Sequence, residues 1–441
     1  MSFTRTLRAV GGAVVAGALL FGAAPTALAD EIRDAQWPLK AFDAESVWKE
    51  STGKGVTVAV IDDPIYGNHP DLKGNVLPGK SFIDGGRGDQ GSEADHGTSM
   101  ASLIAGHGHG AGDSDGVMGL APDAKILPVG RPDFGQGDGS TYVGDWVRYA
   151  VDHHASIINM SIEPTSLSDT DKAALAYASK KDVLVVVGAG NDGAELGPLA
   201  SSPGVVTVGA VDKSGKIWPN SNSGSQVMLS APGVYITSAS AQRTDYPYRR
   251  ANGTSDSTAY VSAAAALLRA KFPDLTAGQI ANRLVKTAGL APGKQGLKLP
   301  DPHYGYGFIR PLKALTANIP AGSKNGPLKT PKTEPTGGAT GPGASGGDQA
   351  SEKKDSGLGT GAIVGIAAGV LGVVAIIVIV IVVARKKNGR NGPPPGGPGY
   401  GGPGFPQQPG PYQQQPGPYQ QQPSAPGSYP PPAPPTQPPG Q

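Results

Sequence analysis

Four short stretches carry residue types whose chemistry goes beyond packing. Val58-Ala59-Val60-Ile61-Asp62-Asp63 ends an apolar run on a carboxylate, and Asp95-His96-Gly97-Thr98-Ser99 puts an imidazole ahead of a run of small residues. Gly188-Ala189-Gly190-Asn191 sets an amide among glycines, and Asn252-Gly253-Thr254-Ser255 sets a hydroxyl before an alanine-rich run. A serine hydroxyl is a poor nucleophile at its own pKa and needs a base to take its proton, which an imidazole does near neutral pH. A carboxylate beside that imidazole fixes its tautomer and stabilises the imidazolium that forms. At a helix N-terminus, where unpaired N–H groups carry partial positive charge, a developing oxyanion can be held. Each stretch alone also has an ordinary reading. Gly-Thr-Ser before a helix is more often a plain N-cap, Asp62 can be a turn residue, His96 a hydrogen-bonder at a helix start and Asn191 a left-handed turn.

The elements that must position these residues alternate. Residues 56–61, 125–129, 156–160, 183–187 and 205–210 are near-continuous apolar, β-branched runs that predict strands buried on both faces. Helical patterns are expected over 43–49, 98–106, 141–154, 168–180, 257–272 and 277–288. Strands apolar on both sides imply an α/β domain with a mainly parallel, twisted sheet covered by helices on each face, a three-layer arrangement. Residues 30–318 are long enough to bury one such core. Asp62 ends its strand where parallel sheets place functional groups.

Composition bounds the remainder. The 441 residues include 67 Gly and 43 Pro and no Cys, which excludes disulfides, thiolate metal sites and a cysteine nucleophile. A net charge of +2 without a basic stripe argues against nucleic acid. Arg5 and Arg8, an apolar run and Ala27-Leu28-Ala29 predict a secretory signal peptide over 1–29, with the mature chain starting near Asp30. The apolar run 361–384 is long enough, at about 1.5 Å per residue, to cross a hydrocarbon core of about 30 Å, which predicts a C-terminal transmembrane helix. Arg385, Lys386, Lys387 and Arg390 follow it, so the N-terminal portion is expected outside the cell membrane and the tail in the cytoplasm. Residues 319–360 read as a flexible extracellular linker. The Pro/Gly/Gln-rich residues 385–441, with a repeated Gly-Pro-Tyr-Gln-Gln-Gln-Pro, read as a disordered tail.

Taken together and in this order, the four stretches resemble the subtilisin-like serine proteases, with secondary matches at Asn68-His69-Pro70-Asp71-Leu72, Gly119-Leu120-Ala121-Pro122, Ile158-Asn159-Met160-Ser161 and Ser230-Ala231-Pro232-Gly233. The resemblance implies Ser255 as nucleophile, His96 as base, Asp62 as its orienting acid, and Asn191 with the Ser255 N–H as oxyanion donors. It also implies an extended polypeptide substrate lying between Ser161-Ile162-Glu163 and Gly188-Ala189-Gly190, with no cofactor and no metal in the chemistry. Trp37-Pro38, Phe42 to Trp48 and Tyr304-Gly305-Tyr306-Gly307 are similar to the mycosins, membrane-anchored proteases of type VII secretion systems, whose membrane components are then expected partners. The same branch implies an N-terminal extension lying on the domain instead of an inhibitory prodomain.

The chain departs from the family in several places. It lacks cysteine pairs, Asp63-Pro64 replaces a small residue and glycine after the acid, and Asp256-Ser257-Thr258-Ala259 replaces the usual run after the nucleophile. Ser161-Ile162-Glu163-Pro164 also departs from the usual Ser-Leu-Gly-Gly; Glu163 reads either as a solvated loop residue or as favouring a basic substrate residue. Asp256 suits a first helical turn, yet it can also raise the pKa of His96 or repel an oxyanion. His107 and His109 lack zinc-enzyme spacing and are expected exposed, and Asp113-Ser114-Asp115 lacks the ligand count of a calcium loop.

Overall fold

The structure, a computed structural model, describes residues 27–331 apart from 92–94, 133–142, 243–246 and 292–293, with side chains from residue 31 onward. In chain order its strands are β1 (Thr57–Asp62), β2 (Lys80–Ser81), β3 (His107–His109), β4 (Asp115–Met118), β5 (Lys125–Gly130), β6 (Ile157–Met160), β7 (Leu184–Gly188), β8 (Val205–Val211), β9 (Val227–Pro232), β10 (Ile236–Ala239) and β11 (Tyr248–Ala251). Seven form one sheet in the order β2-β5-β1-β6-β7-β8-β9, and every neighbouring pair is parallel. The five expected strands form its centre. β9, where a serine interrupts the apolar run, and the two-residue β2 extend it. Two short antiparallel pairs, β3 with β4 and β10 with β11, lie apart from it.

The sheet is buried on both faces, and the period of two sorts its side chains. Val58, Val60, Ile126, Ile157, Val186, Val206 and Val208 pack with the helices His96–Ala105, Thr254–Lys271 and Ala277–Thr287. Ala59, Ile61, Leu127, Val129, Ile158, Met160, Val185 and Val187 pack with Val143–Asp152 and Asp169–Lys180. Each fully buried valine or isoleucine contributes about 1.5–3 kcal/mol, so the strands cannot slip register without exposing one set. The chain leaves β1 for one face and β6 for the other. Such divergence opens a crevice beyond the carboxyl ends of the two strands.

Helix starts follow local chemistry. Ser168 and Asp171 form a capping box for Asp169–Lys180, and Thr276 and Gln279 form one for Ala277–Thr287. The Thr254–Lys271 helix differs, because its N-cap is Gly253 and no side chain of that residue takes its first N–H groups. The described segment ahead of β1 forms three short helices, Ala27–Asp34, Trp37–Phe42 and Ala44–Glu50. Phe42 is buried against Tyr260 at 5.5 Å and Phe308 at 5.7 Å. Arg33 donates to Gly116 O and Asp113 O, and the Gln36 amide pairs with both backbone groups of Met118. The extension therefore lies on the domain and inserts one ring into its core.

Among the described residues no helix is long and apolar enough to cross a membrane. The expected span 361–384, the tail 385–441, most of the linker 319–360 and residues 1–26 of the expected signal peptide lie outside the described residues.

Candidate active site

β1, β6 and β7 run parallel and end along one edge, which brings Asp62 together with Ser161 and Gly188, about a hundred residues or more further along the sequence. The His96–Ala105 helix starts at that edge. The imidazole of His96 bonds through Nδ1 to Asp62, 2.8 Å from Oδ1 and 2.9 Å from Oδ2. Asp62 is buried, and its Oδ1 also accepts the Asp63 N–H at 2.9 Å. With Nδ1 held by the carboxylate, Nε2 is the ring nitrogen offered to the cleft.

The Thr254–Lys271 helix brings Ser255 to the same edge as its second residue. It is sewn to β6 by Ser262 Oγ on Asn159 Oδ1 at 2.9 Å, Asn159 Nδ2 on Ser161 Oγ at 3.2 Å and Ser161 Oγ on Ser255 O at 3.3 Å. On the β7 side, Thr254 is the joint. Its N–H and hydroxyl both donate to Asn191 Oδ1, at 2.9 and 3.0 Å, and its hydroxyl accepts the Gly190 N–H at 3.2 Å. Anchoring the amide oxygen leaves the Asn191 NH2 as the donor facing outward. Gly188 permits the approach, since a Cβ there would lie 3.1 Å from Thr254 Oγ1.

A cleft of about 340 Å³ is lined by Asp62, His96, Asn191 and Ser255 with Ser161, Ile162, Glu163, Gly188 and Gly190. Ala189 is not on its wall; it is buried, and its N–H bonds Val208 O at 2.9 Å. Ser255 Oγ makes no hydrogen bond to His96 among the described residues, and the two residues line the same cleft. His109 is half-buried instead of exposed, because its Nδ1 lies 2.5 Å from the buried Asp71. Among the described residues no group of histidine and acidic side chains is arranged to hold a metal ion.

Three carboxylates surround the imidazole. Burial opposes the charge on His96, but the charge and hydrogen bond of Asp62, with Asp63 and Asp256 behind, outweigh it and raise the pKa to about 9. Asp63 is pushed up to about 6 by burial and by the charge of Asp62, against the N–H groups of Gly97 and His96 that hold it down. Asp256 is pushed up to about 6 by burial, against the charges of His96 and Arg249. Asp256 Oδ1 and the Tyr260 hydroxyl, one helical turn on, are buried without a hydrogen-bond partner among the described residues. Asp63, Thr254 and Asn222 are site residues that the sequence did not mark. Asp63 stood out only as an odd neighbour of Asp62, and Asn222 sits in a Ser/Asn-rich loop with no pattern around it.

The subtilase family model matches residues 53–307. Subtilisin E of Bacillus subtilis (strain 168) is 34% identical over 242 residues, covering 54% of this chain and 61% of that protein. The chain thus spans about three fifths of the length of the curated subtilisins it matches. Mycosin-1 of Mycolicibacterium smegmatis is 32% identical over 375 residues, covering 71% of this chain and 80% of that protein. The crystal structure of MycP1 from the ESX-1 type VII secretion system superposes with a TM-score of 0.55 at 30% identity, covering 66% of this chain and 89% of the other. The sheet, the edge at which its strands end and the family match agree, and the chain belongs to the subtilase family.

Proposed function

We propose that the chain is a membrane-anchored serine endopeptidase that hydrolyses peptide bonds of secreted proteins in a type VII secretion setting. The observation that carries this reading is the His96–Asp62 pair facing the same cleft as Ser255, at the start of a helix whose first N–H groups are not capped by the preceding residue. In it, Ser255 Oγ attacks a substrate carbonyl while His96 Nε2 takes its proton, and Asp62 stabilises the imidazolium. The oxyanion is held by the Asn191 amide and the Ser255 N–H. His96 then gives the proton to the leaving amine, and water repeats the sequence on the acyl-enzyme. A fluorophosphonate probe tests this directly. Wild type is expected to label, while Ser255→Ala and His96→Ala do not; labelling that survives Ser255→Ala would refute the assignment.

The setting is supported by the likeness to Mycosin-1 and to MycP1 of a type VII system, and by the apolar run 361–384 with basic residues after it. Membrane fractionation with protease accessibility tests the topology: the domain should be cut from outside and the tail protected. A second reading, a catalytically silent structural member of a secretion complex, draws on a Ser255 hydroxyl that makes no hydrogen bond to His96 among the described residues and on the buried Asp256 beside it. Absence of labelling in folded wild type would favour it.

A further inference from the structure

We infer that Glu163 selects a lysine or arginine at the residue whose carbonyl Ser255 attacks, so that the substrates are polypeptides with a basic residue immediately before the cleaved bond. The inference rests on the protease reading above and names its substrate class. β6 and β7 pair as far as Met160 and Val187, and the chain beyond them forms the two walls of the cleft, Ser161-Ile162-Glu163 on one side and Gly188, Gly190 and Asn191 on the other. A carbonyl held by Asn191 and the Ser255 N–H places its own Cα at the mouth of the space between those walls. The side chain on that Cα is the one that enters.

Glycines line that space where the carboxylate lies. Gly190, at φ +109°, carries no Cβ; one built there would lie 2.2 Å from Asn222 Nδ2 and 2.5 Å from Glu163 Oε1. A Cβ on Gly197 would lie 3.3 Å from the same Oε1. The Glu163 carboxylate is therefore laid across glycine backbone, and it is held there. Asn222, 2% exposed, donates Nδ2 to Oε1 at 3.0 Å. Its own Oδ1 is fixed by the N–H groups of Asp192 and Ala194 at 2.9 and 3.0 Å. A glutamate that merely reached into solvent would not need a buried amide to aim it.

Arg131 lines the same cleft, but among the described residues no lysine, arginine or histidine forms a salt bridge or hydrogen bond with Glu163, whose carboxylate is held by the Asn222 amide. Burial, and then the charge of Asp192, raise its pKa against the Asn222 bond, as expected of a partly desolvated carboxylate with an anionic neighbour. A neutral side chain entering this space would desolvate the carboxylate further without replacing its water, and an acidic one would be repelled. An ammonium or guanidinium group restores the lost hydrogen bonds with a charge-assisted one.

The test compares the full-length chain on peptides that differ only at the residue before the cleaved bond. Arginine and lysine are expected to exceed alanine in kcat/KM by about tenfold or more, the range of one hydrogen bond to a charged group. Glu163→Gln keeps the acceptor for Asn222, and it should bring that ratio to within about twofold of unity. Glu163→Lys should move the preference to glutamate. Fluorophosphonate labelling of the same preparations separates the two readings. Labelled wild type that cleaves alanine and arginine peptides equally, or a ratio unchanged in Glu163→Gln, overturns the selection by Glu163 and leaves the protease standing. Folded wild type that neither labels nor cleaves any of the peptides overturns both.

Discussion

The Asp63 carboxylate accepts the backbone N–H of His96 at 3.2 Å and that of Gly97, while the carboxylate of Asp62 beside it holds the His96 ring. The end of one strand thus fixes both the main chain and the side chain of the candidate base, and Asp63 serves as the cap that the helix start at Asp95 does not supply. Losing a cap costs about 0.5–2 kcal/mol. Asp63→Ala is expected to lower the melting temperature and slow fluorophosphonate labelling together, because the helix start is freed from β1. Asp63→Asn keeps an acceptor oxygen and should cost less. Equal melting temperatures for Asp63→Ala and wild type would contradict the capping role.

A base must be neutral to accept a proton, and His96 is held at about 9. The acid limb of the labelling rate against pH is therefore expected near pH 9, well above the 6.5 of a free imidazole. Since the folded value lies above the unfolded one, the stability that the Asp62–His96 pair contributes is complete below about 6.5 and is lost as pH rises through about 9. The protein should become more reactive and less stable over the same interval. Asp256→Asn removes one of the charges that raise His96, so its limb should move to lower pH. A limb at 6.5 in wild type would show that the three carboxylates do not act on the imidazole in this way.

Asp256 itself carries a cost. Its pKa is displaced from 3.8 to about 6, a difference of about 3 kcal/mol at most, and its Oδ1 is buried without a partner. For an acid raised by folding, the penalty is absent below the unfolded value and complete above the folded one, so stability falls as pH climbs from about 4 to 6. Asp256→Asn should be the more stable protein above pH 6, and the gain should shrink to nothing near pH 3.5. Thermal melts across that range decide it, and a gain independent of pH would point to packing rather than charge.

Much of this was legible in the chain because the signals are local. The continuous β-branched runs ending at Asp62 and Val187 announce buried parallel strands, and the glycines before Asn191 and Ser255 announce tight entries to functional turns. What stayed hidden depends on residues that meet only after folding. Asp63 caps a helix that begins 33 residues later. Asn222 aims Glu163 from 59 residues away. Neither relation leaves a periodicity, a spacing or a composition to read. The same holds for His109, which lacks a metal pattern yet is drawn half inside by Asp71. The edge strand β9 was missed because Ser230 breaks the apolar run that marks the central strands.

Thr254 links the wall of the cleft to the oxyanion donor, and this yields the sharpest test of how the site is held. Its hydroxyl accepts from Gly190 N and donates to Asn191 Oδ1, so Thr254→Val keeps the shape but frees one end of the amide and leaves a buried N–H unpaired. Asn191→Ala removes the donor itself and should slow acylation about a hundred- to thousandfold. Thr254→Val leaves the Thr254 N–H on Asn191 and should slow it by about tenfold, a loss of one hydrogen bond's orientation. If Thr254 acts through Asn191, the effects are not additive, and the double variant should be about as slow as Asn191→Ala alone. Additive losses in single-turnover acylation would mean that Thr254 supports the site by another route, through Gly190 and the wall of the cleft.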